Sequence, residues 1–227
     1  MHVAIVTLCV LTAFFSADAL TAQQRSAILN YHNSLRSQLA KGQVTDKDGK
    51  LPAGKNIYKF VYNSTIEAIT QANADLCKME HSSSGFGENL YFSGGEETNL
   101  TKALIDGANS WWGEKDECQI KKDNLNVTTA VWDNCGHWIP MAWSHTTQLA
   151  CGVQVCGPMD WCKGWCTKTT LVICNYYNPT DDSGNTLIYE KGTACTSNAQ
   201  CTWYKNSTCD ATTGLCVAPA NQLLENR

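Results

Sequence analysis

Residues 169–178 read TTLVICNYYN, a run of β-branched and aromatic side chains that is long enough for one buried strand. A second strand is predicted upstream in LACGVQVC, where the side chains alternate between Cys151 and Cys156. Both segments follow three helical stretches in the chain. Helices first and strands afterwards predict an α+β fold, in which the helices pack on an antiparallel sheet.

Two of the helical stretches have clear limits. In residues 21–42, Thr21 and Gln24 form a capping-box pattern, apolar side chains repeat at helical spacing, and Gly42 ends the repeat. A later helix is predicted from about residue 101 to residue 117, with two adjacent tryptophans on its apolar side. Both segments are therefore expected to pack on the sheet.

The third helical stretch covers residues 64–82 and lies between the other two. Ser64 and Glu67 form a second capping-box pattern at its start. Its predicted apolar stripe consists of Ile66, Ile69, Leu76 and Met79. We expect this stripe to face the core.

The amino terminus has the pattern of a secretory signal peptide. An apolar run extends from Val3 to Phe15, and the A-x-A sequence Ala17-Asp18-Ala19 follows it. A membrane-spanning helix needs about 20 apolar residues, and this run is shorter. Residues 1–19 are therefore predicted to be a signal peptide. The protein is expected to be secreted and extracellular, with no transmembrane anchor.

Cysteines and glycosylation sequons fit the same compartment. The chain has 13 cysteines, and Cys9 lies within the predicted signal peptide. The remaining cysteines are even in number, which predicts a disulfide framework. They are Cys77, Cys118, Cys135, Cys151, Cys156, Cys162, Cys166, Cys174, Cys195, Cys201, Cys209 and Cys216. Sequons predict a glycoprotein modified at Asn63, Asn99, Asn126 and Asn206.

Composition divides the chain after the predicted signal peptide. Residues 20–191 have the length and apolar content of one domain. Residues 192–227 contain four cysteines but few aliphatic side chains, so they are predicted to form a small tail held by disulfides. The net charge is −4 and no basic run exists, which excludes nucleic acid as an expected partner.

Four side chains are candidates for metal or proton chemistry: His81, Glu88, Glu114 and His137. His81 and Glu88 frame the Ser/Gly-rich sequence HSSSGFGE, but the two histidines are far apart and form no local metal motif. Neutral imidazoles suit zinc, and carboxylates can bind a metal, orient a histidine or act as a base. Spacing alone leaves open whether the four residues share a pocket.

A further pair, His32 and Arg36, lies one helical turn apart in HNSLR. The pair could belong to a site. A structural role in hydrogen bonding beside the core is the favoured interpretation.

Four motifs in order along the chain resemble the signatures of the CAP superfamily. They are HNSLR (32–36), GENLY (87–91), GHWIPMAW (136–143) and VICNYYNP (172–179). The superfamily, also called SCP/TAPS, contains cysteine-rich secretory proteins, antigen 5 and pathogenesis-related 1 proteins. With its short cysteine-rich tail, the chain is most similar to the activation-associated secreted, venom-allergen-like proteins of nematodes.

The resemblance implies a three-layer α-β-α sandwich with a large open cleft. It places His81, Glu88, Glu114 and His137 together in that cleft, where the two histidines bind a divalent ion, commonly Zn²⁺. This chain departs from the family at Ile139-Pro140, where threonine and glutamine are usual. A proline in the first turn of a helix is tolerated, so the fold is not expected to suffer.

The resemblance also implies a disulfide pattern. The implied pairs are Cys77–Cys151, Cys118–Cys135 and Cys156–Cys174, together with Cys162–Cys166 and two bridges inside the tail. Because Cys162 and Cys166 frame the short sequence CKGWC in a chain with the features of a secreted protein, a disulfide is favoured there over zinc.

Three functions remain open for the cleft. The favoured one is a host-interacting, immunomodulatory binding protein, with host proteins or receptors, sterols or fatty acids as the implied partners, acting as a monomer or weak dimer. No catalytic residue is assigned, and no enzymatic activity is expected. The alternative is a zinc-dependent hydrolase in which Glu88 or Glu114 acts as the base. In the third, the four residues form a structural polar cluster.

Overall fold

A four-stranded sheet lies at the centre of the computed structural model, which describes residues 20–162, 164–177 and 186–220. The predicted signal peptide lies outside the described residues. In chain order the strands are β1 (Thr45–Asp46), β2 (Gly49–Lys50), β3 (Gly54–Lys55), β4 (Val61–Tyr62), β5 (Gly87–Gly94), β6 (Gln148–Cys156), β7 (Thr169–Tyr177), β8 (Glu190–Lys191), β9 (Thr208–Asp210) and β10 (Leu215–Val217).

Helices cover both faces of this sheet. They are α1 (Ala22–Ala40), α2 (Ser64–Asp75), α3 (Leu100–Gly113), α4 (Thr129–Cys135) and α5 (Trp138–Ala142). Short 3₁₀ turns follow at Glu114–Asp116, Asp160–Cys162 and Asn198–Gln200. The α+β class and the three-layer sandwich are both confirmed.

The sheet has the strand order β4-β6-β7-β5. The two strands predicted from the sequence, β6 and β7, pair with each other in antiparallel register along their whole length. β5 joins β7 antiparallel, and the two-residue β4 joins β6 in parallel. The predicted antiparallel sheet is therefore correct for its three long strands.

Strand alternation assigns the two faces of the sheet to different helices. Leu149, Cys151 and Val153 of β6 belong to the main apolar core, together with side chains of α1, α3 and α5. Leu171 and Ile173 of β7 face the other way, toward Ala74 of α2. The main core therefore lies on the α1/α3 side.

Helix α1 begins as predicted. The Thr21 side chain accepts a hydrogen bond from the backbone of Gln24, and the Gln24 side chain bonds back to Thr21. The helix ends at Ala40, where Gly42 has a positive φ of 62°. The helix predicted for residues 101–117 also exists, but it ends at Gly113 because a 3₁₀ turn begins at Glu114.

The capping box and the apolar stripe predicted for α2 are wrong. Asn63 caps the helix, and the Glu67 carboxylate instead receives two hydrogen bonds from Arg25 of α1, each 2.7 Å long. Of the four stripe residues only Ile66 is buried. The buried face is made of Ile66, Glu67, Thr70, Gln71 and Ala74.

Polar residues face the sheet from α2 because β4 is too short to cover β6. Beyond the β4 pairing, the Gln71 amide supplies the missing partner: its Nε2 donates to Val153 O and its Oε1 accepts from Val153 N, both at 3.0 Å. Gly152 lets the helix approach, since a Cβ there would lie 2.9 Å from Gln71 Cα.

Two of the implied disulfides are wrong. The structure pairs Cys77 with Cys156 and Cys151 with Cys174, whereas the resemblance implied Cys77–Cys151 and Cys156–Cys174. Strand alternation explains the exchange, because Cys151 faces the main core while Cys156 faces α2, which ends just before Cys77. Cys174 lies directly opposite Cys151 in the β6/β7 register.

The other implied disulfides are present. Cys118–Cys135 and Cys162–Cys166 form as expected, and the tail contains Cys195–Cys209 and Cys201–Cys216. All twelve cysteines predicted to form disulfides are therefore paired.

The cysteine-rich tail packs against the sandwich. The backbone N–H of Cys216 donates to Ile57 O, and the N–H of Lys59 donates to Cys216 O. The Tyr58 ring between them is fully buried and meets Tyr204 edge to face at 4.9 Å. No helix in the described ranges is long and apolar enough to cross a membrane.

The polar pair of HNSLR lies inside the main core. His32 and Arg36 are both buried, and the Arg36 guanidinium lies 4.2 Å from the centre of the Phe60 ring. Its nitrogens donate to backbone carbonyls, namely those of Tyr58, Met141, Trp143, Ser144 and Thr146. Arg36 thus joins α1 to the segment around Tyr58 and to the end of α5 with the loop that follows it, which agrees with the structural interpretation.

Candidate metal centre

A cavity of about 560 Å³ opens at the edge of the sheet beside the first residues of β5. His81, Glu88, Glu114 and His137 all line it, although they come from three separate segments of the chain. Phe86, Trp132 and Pro140 form apolar parts of its wall. The structure therefore brings together the four residues that the spacing alone left unconnected.

Local structure explains how each segment reaches the cavity. The Ser/Gly loop leads from His81 into β5, and Glu88 is the second residue of that strand. Glu114 begins the 3₁₀ turn after α3, and His137 immediately precedes α5. The Cys118–Cys135 disulfide joins the segments that carry Glu114 and His137.

The Glu114 carboxylate holds His137 at two points. One oxygen, Oε1, lies 2.6 Å from the imidazole Nδ1, and Oε2 accepts from the backbone N–H of His137 at 2.9 Å. Since a carboxylate only accepts, the ring must carry its proton on Nδ1 when it is neutral. The His137 and Glu114 side chains are 38% and 28% exposed, respectively.

The His81–Glu88 pair has the same pattern on a more open side of the cavity. His81 Nδ1 lies 3.2 Å from Glu88 Oε1, and the His81 side chain is 67% exposed. The Glu88 carboxylate is only 4% exposed, and Ser82 satisfies it with hydrogen bonds of 2.7 Å from both its N–H and its Oγ. The carboxylate is therefore fixed, while the imidazole reaches into solvent.

The donor set is consistent with a divalent cation. Each imidazole uses Nδ1 on a carboxylate, and neither Nε2 has a hydrogen-bond partner among the residues the structure describes. A histidine that ligates a metal commonly donates its other nitrogen to a carboxylate in this way. His81 and His137 would thus hold a cation through Nε2, with Glu88 and Glu114 orienting the rings.

The four side chains do not form a tight cluster in this structure. Within the described chain, three His, Cys, Asp or Glu ligand atoms lie within 4.8 Å of one another only at Cys195, Cys201 and Cys209. Those sulfurs are all in disulfides and cannot serve as thiolate ligands. The fit of a metal to the cavity therefore depends on the donor types and their carboxylate partners.

Two further residues connect to the site and were given no role from the sequence. The Asn89 side chain donates to the backbone carbonyl of His137 at 2.8 Å and to the Tyr176 hydroxyl at 3.3 Å. Both residues lie inside quoted motifs, GENLY and VICNYYNP. Their position inside these motifs was the sequence feature that could have identified them. The motifs alone do not show which side chains are in contact.

Pro140 lies in the cavity wall, in the first turn of α5, where it fits without breaking the helix. The four sequon asparagines are not among the residues that line the cavity. Asn99 and Asn206 are exposed, and Asn63 and Asn126 are half-buried. The Asn63 amide is in use: Oδ1 accepts from Thr65 N and Ile66 N, and Nδ2 donates to the buried Gln148 side chain.

An α-β-α sandwich with two histidine–glutamate pairs in an open cavity defines the class of protein. Comparison with known families agrees with it: the model of CAP, the cysteine-rich secretory protein family, matches residues 29–176. The chain belongs to the CAP family.

Individual relatives support the same assignment. Ancylostoma secreted protein from Ancylostoma caninum is 28% identical over 205 residues, and venom allergen 5 from Microctonus hyperodae is 31% identical over 170 residues. These alignments cover 89% and 69% of this chain and 44% and 67% of the relatives, respectively. The chain therefore spans less than half the length of the Ancylostoma protein.

A solved structure, the crystal structure of NaASP2 with Zn²⁺, has the same fold. It superposes with a TM-score of 0.72 at 29% sequence identity, covering 88% of this chain and 98% of the other.

Proposed function

We propose that this chain is a secreted binding protein that acts on a host and holds a divalent cation, zinc, between His81 and His137. The observation that carries the proposal is the repeated pairing of an imidazole Nδ1 with a carboxylate in one cavity. That pairing leaves Nε2 of each ring as the metal-binding atom. The solved structure of NaASP2 with Zn²⁺ supports the choice of metal.

The cavity wall supports an amphipathic organic ligand, as expected for a fatty acid or sterol. Phe86, Trp132 and Pro140 line the same space as the four polar residues. A cation at His81 and His137 would attract the carboxylate of a fatty acid or the hydroxyl oxygen of a sterol, and the apolar side chains would contact the hydrocarbon part.

The metal part of the proposal is tested by calorimetric titration of Zn²⁺ into metal-stripped protein at pH 7. The wild type is expected to bind one zinc ion, and His81→Ala/His137→Ala is expected to lose this binding. His145→Phe is the matched control, because it removes a histidine outside the cavity and keeps a ring stacked on Trp203. Equal zinc binding by the double variant and the wild type would refute the site.

The hydrolase alternative has a distinct signature in the same preparations. Zinc-dependent hydrolysis of an ester or peptide that disappears in Glu88→Ala would favour an enzyme over a binding protein. For the host-directed role, activity on host cells is compared between the wild type and the double histidine variant. Loss of activity only in the variant would connect the cavity to the host, and full retention would assign the effect to another surface.

A further inference from the structure

A chain of hydrogen bonds runs from helix α1 through the core to the candidate metal centre. It passes through His32, Tyr176 and Asn89 and ends on the backbone carbonyl of His137. The first three side chains are buried. Each of the four residues belongs to a different sequence motif, so this network connects all four motifs.

The donor and acceptor roles in this hydrogen-bond network follow from its first hydrogen bond. His32 Nδ1 lies 3.0 Å from the carbonyl of Ile28, which can only accept, so Nδ1 carries the proton. Nε2 of the neutral ring must then accept, and the Tyr176 hydroxyl 3.1 Å away must donate to it. Burial favours this neutral form, since it lowers the pKa of His32 to about 4.

The remaining links are determined in turn. The Tyr176 hydroxyl has one proton, and that proton is used on His32, so its oxygen accepts from Asn89 at 3.3 Å. Asn89 must therefore present its Nδ2, and the same nitrogen donates to the His137 carbonyl at 2.8 Å. A flipped Asn89 amide would place its oxygen against the carbonyl oxygen of His137 and lose both bonds.

Asn89 also lies at the junction between the two histidine–glutamate pairs. It follows Glu88 on β5, and its side chain reaches the loop that carries His137. The His137 backbone is thus held from both sides, by Glu114 at the N–H and by Asn89 at the carbonyl. One buried acceptor, Asn89 Oδ1, has no partner within the described residues, so the side chain keeps this orientation at a cost.

We infer that His32, Tyr176 and Asn89 are positioning residues that set the separation between the two histidine–glutamate pairs, and so tune the affinity of the cavity for its cation. This inference rests on the proposed metal-binding function. Removing one polar group of the hydrogen-bond network leaves the four cavity side chains chemically unchanged, but it loosens the Asn89 contact that joins the His137 backbone to β5. The cation then binds to a less ordered pair of imidazoles, and its affinity falls.

Tyr176→Phe is the most selective test, because it removes one hydroxyl and keeps the buried ring. Tyr189→Phe is the matched control: it also deletes a buried hydroxyl, one that donates to Pro52 O at 3.0 Å and contacts none of the network. Zinc affinity is expected to fall about 10-fold in Tyr176→Phe and to remain unchanged in Tyr189→Phe. Asn89→Asp, which has the same shape but no side-chain N–H, is expected to lose at least as much.

A readout without metal separates this inference from the proposed function. In the apo protein, the ¹³C chemical shift of the His137 carbonyl reports the hydrogen bond from Asn89, and it is expected to move in Tyr176→Phe but not in Tyr189→Phe. An unchanged shift would overturn the inference, as would an altered shift with unaltered zinc affinity. If the wild type binds no zinc, the metal proposal fails, while the carbonyl shift still decides whether the network positions His137.

Discussion

Two groups of polar side chains in this molecule use similar residue types in opposite environments. His32 and Arg36 lie in the main core, and each of their side-chain nitrogens has a hydrogen-bond partner in the protein. His81 and His137 lie in a cavity, and each has one ring nitrogen on a carboxylate and one without a partner in the described chain. Side chains whose hydrogen bonds are all formed stabilise the fold, whereas the ring nitrogens without a partner remain available for a ligand.

Arg36→Met is expected to have the largest effect on the buried group. It leaves five backbone carbonyls without their donor, and each hydrogen bond to a charged group contributes about 1.5–3 kcal/mol. We expect the free energy of unfolding to fall by at least about 4 kcal/mol in denaturant titrations. Lys102→Met, at an exposed ion pair, should change it by less than about 1 kcal/mol. Similar losses in the two variants would contradict the comparison.

Acid should destabilise the fold through His32. Its pKa is about 4 in the folded protein, lowered by burial, and about 6.5 when unfolded, so its contribution is fully present above pH 6.5 and lost as the pH falls toward 4. The full difference corresponds to about 3 kcal/mol of unfolding free energy. Thermal or urea unfolding between pH 7 and pH 4 should show a steeper decline in wild type than in His32→Gln. Parallel curves for the two proteins would argue against a neutral buried His32.

Inside the cavity, the two carboxylates should differ in their importance for zinc. Glu114 holds both the ring and the backbone of His137, so Glu114→Gln should weaken zinc binding about 10–100-fold. Glu88 orients a ring that is 67% exposed, so Glu88→Gln should weaken it by less than about 10-fold. Calorimetric titration of both variants measures the ratio directly. A larger loss in Glu88→Gln would reverse the assigned order.

The smallest expected effect concerns glycans, and it extends the same comparison to asparagine amides. Asn63 uses both side-chain atoms in the fold, whereas Asn99 is exposed and uses only its oxygen, to cap α3. Glycopeptide mass spectrometry of protein expressed through a eukaryotic secretory pathway should find high occupancy at Asn99 and little or none at Asn63. A fully occupied Asn63 would show that its contacts with Gln148 are dispensable.

The sequence predicted local features better than long-range ones. The capping box at Thr21 and the strands β6 and β7 depend on neighbouring residues, and the structure confirms them. The capping box at Ser64 failed because Arg25, distant in sequence, takes the Glu67 carboxylate. Leu76 was predicted to be buried but is exposed, because α2 ends at Asp75, before the predicted apolar stripe does. Within α2, polar side chains pack on an incompletely paired strand, and helical periodicity does not predict this.

The site shows the same division. Spacing provided no reason to join His81 with His137, and only the resemblance to a family placed them together. The role of Tyr176 depends on a proton direction set by the carbonyl of Ile28, which a motif does not encode. Strand alternation could have predicted the correct disulfides. Cys151 and Cys156 lie an odd number of positions apart on β6, so they face opposite sides of the sheet.

The pairing of the tail cysteines affects how the tail responds to proteolysis. Cys195–Cys209 and Cys201–Cys216 interleave along the chain, so each bridge spans a cysteine of the other. Any single cut between Cys195 and Cys216 therefore leaves the two fragments covalently joined. An extracellular protease would have to cleave this region at least twice before releasing any piece, and a nicked tail would remain attached over Tyr58 through Cys216 or its partner.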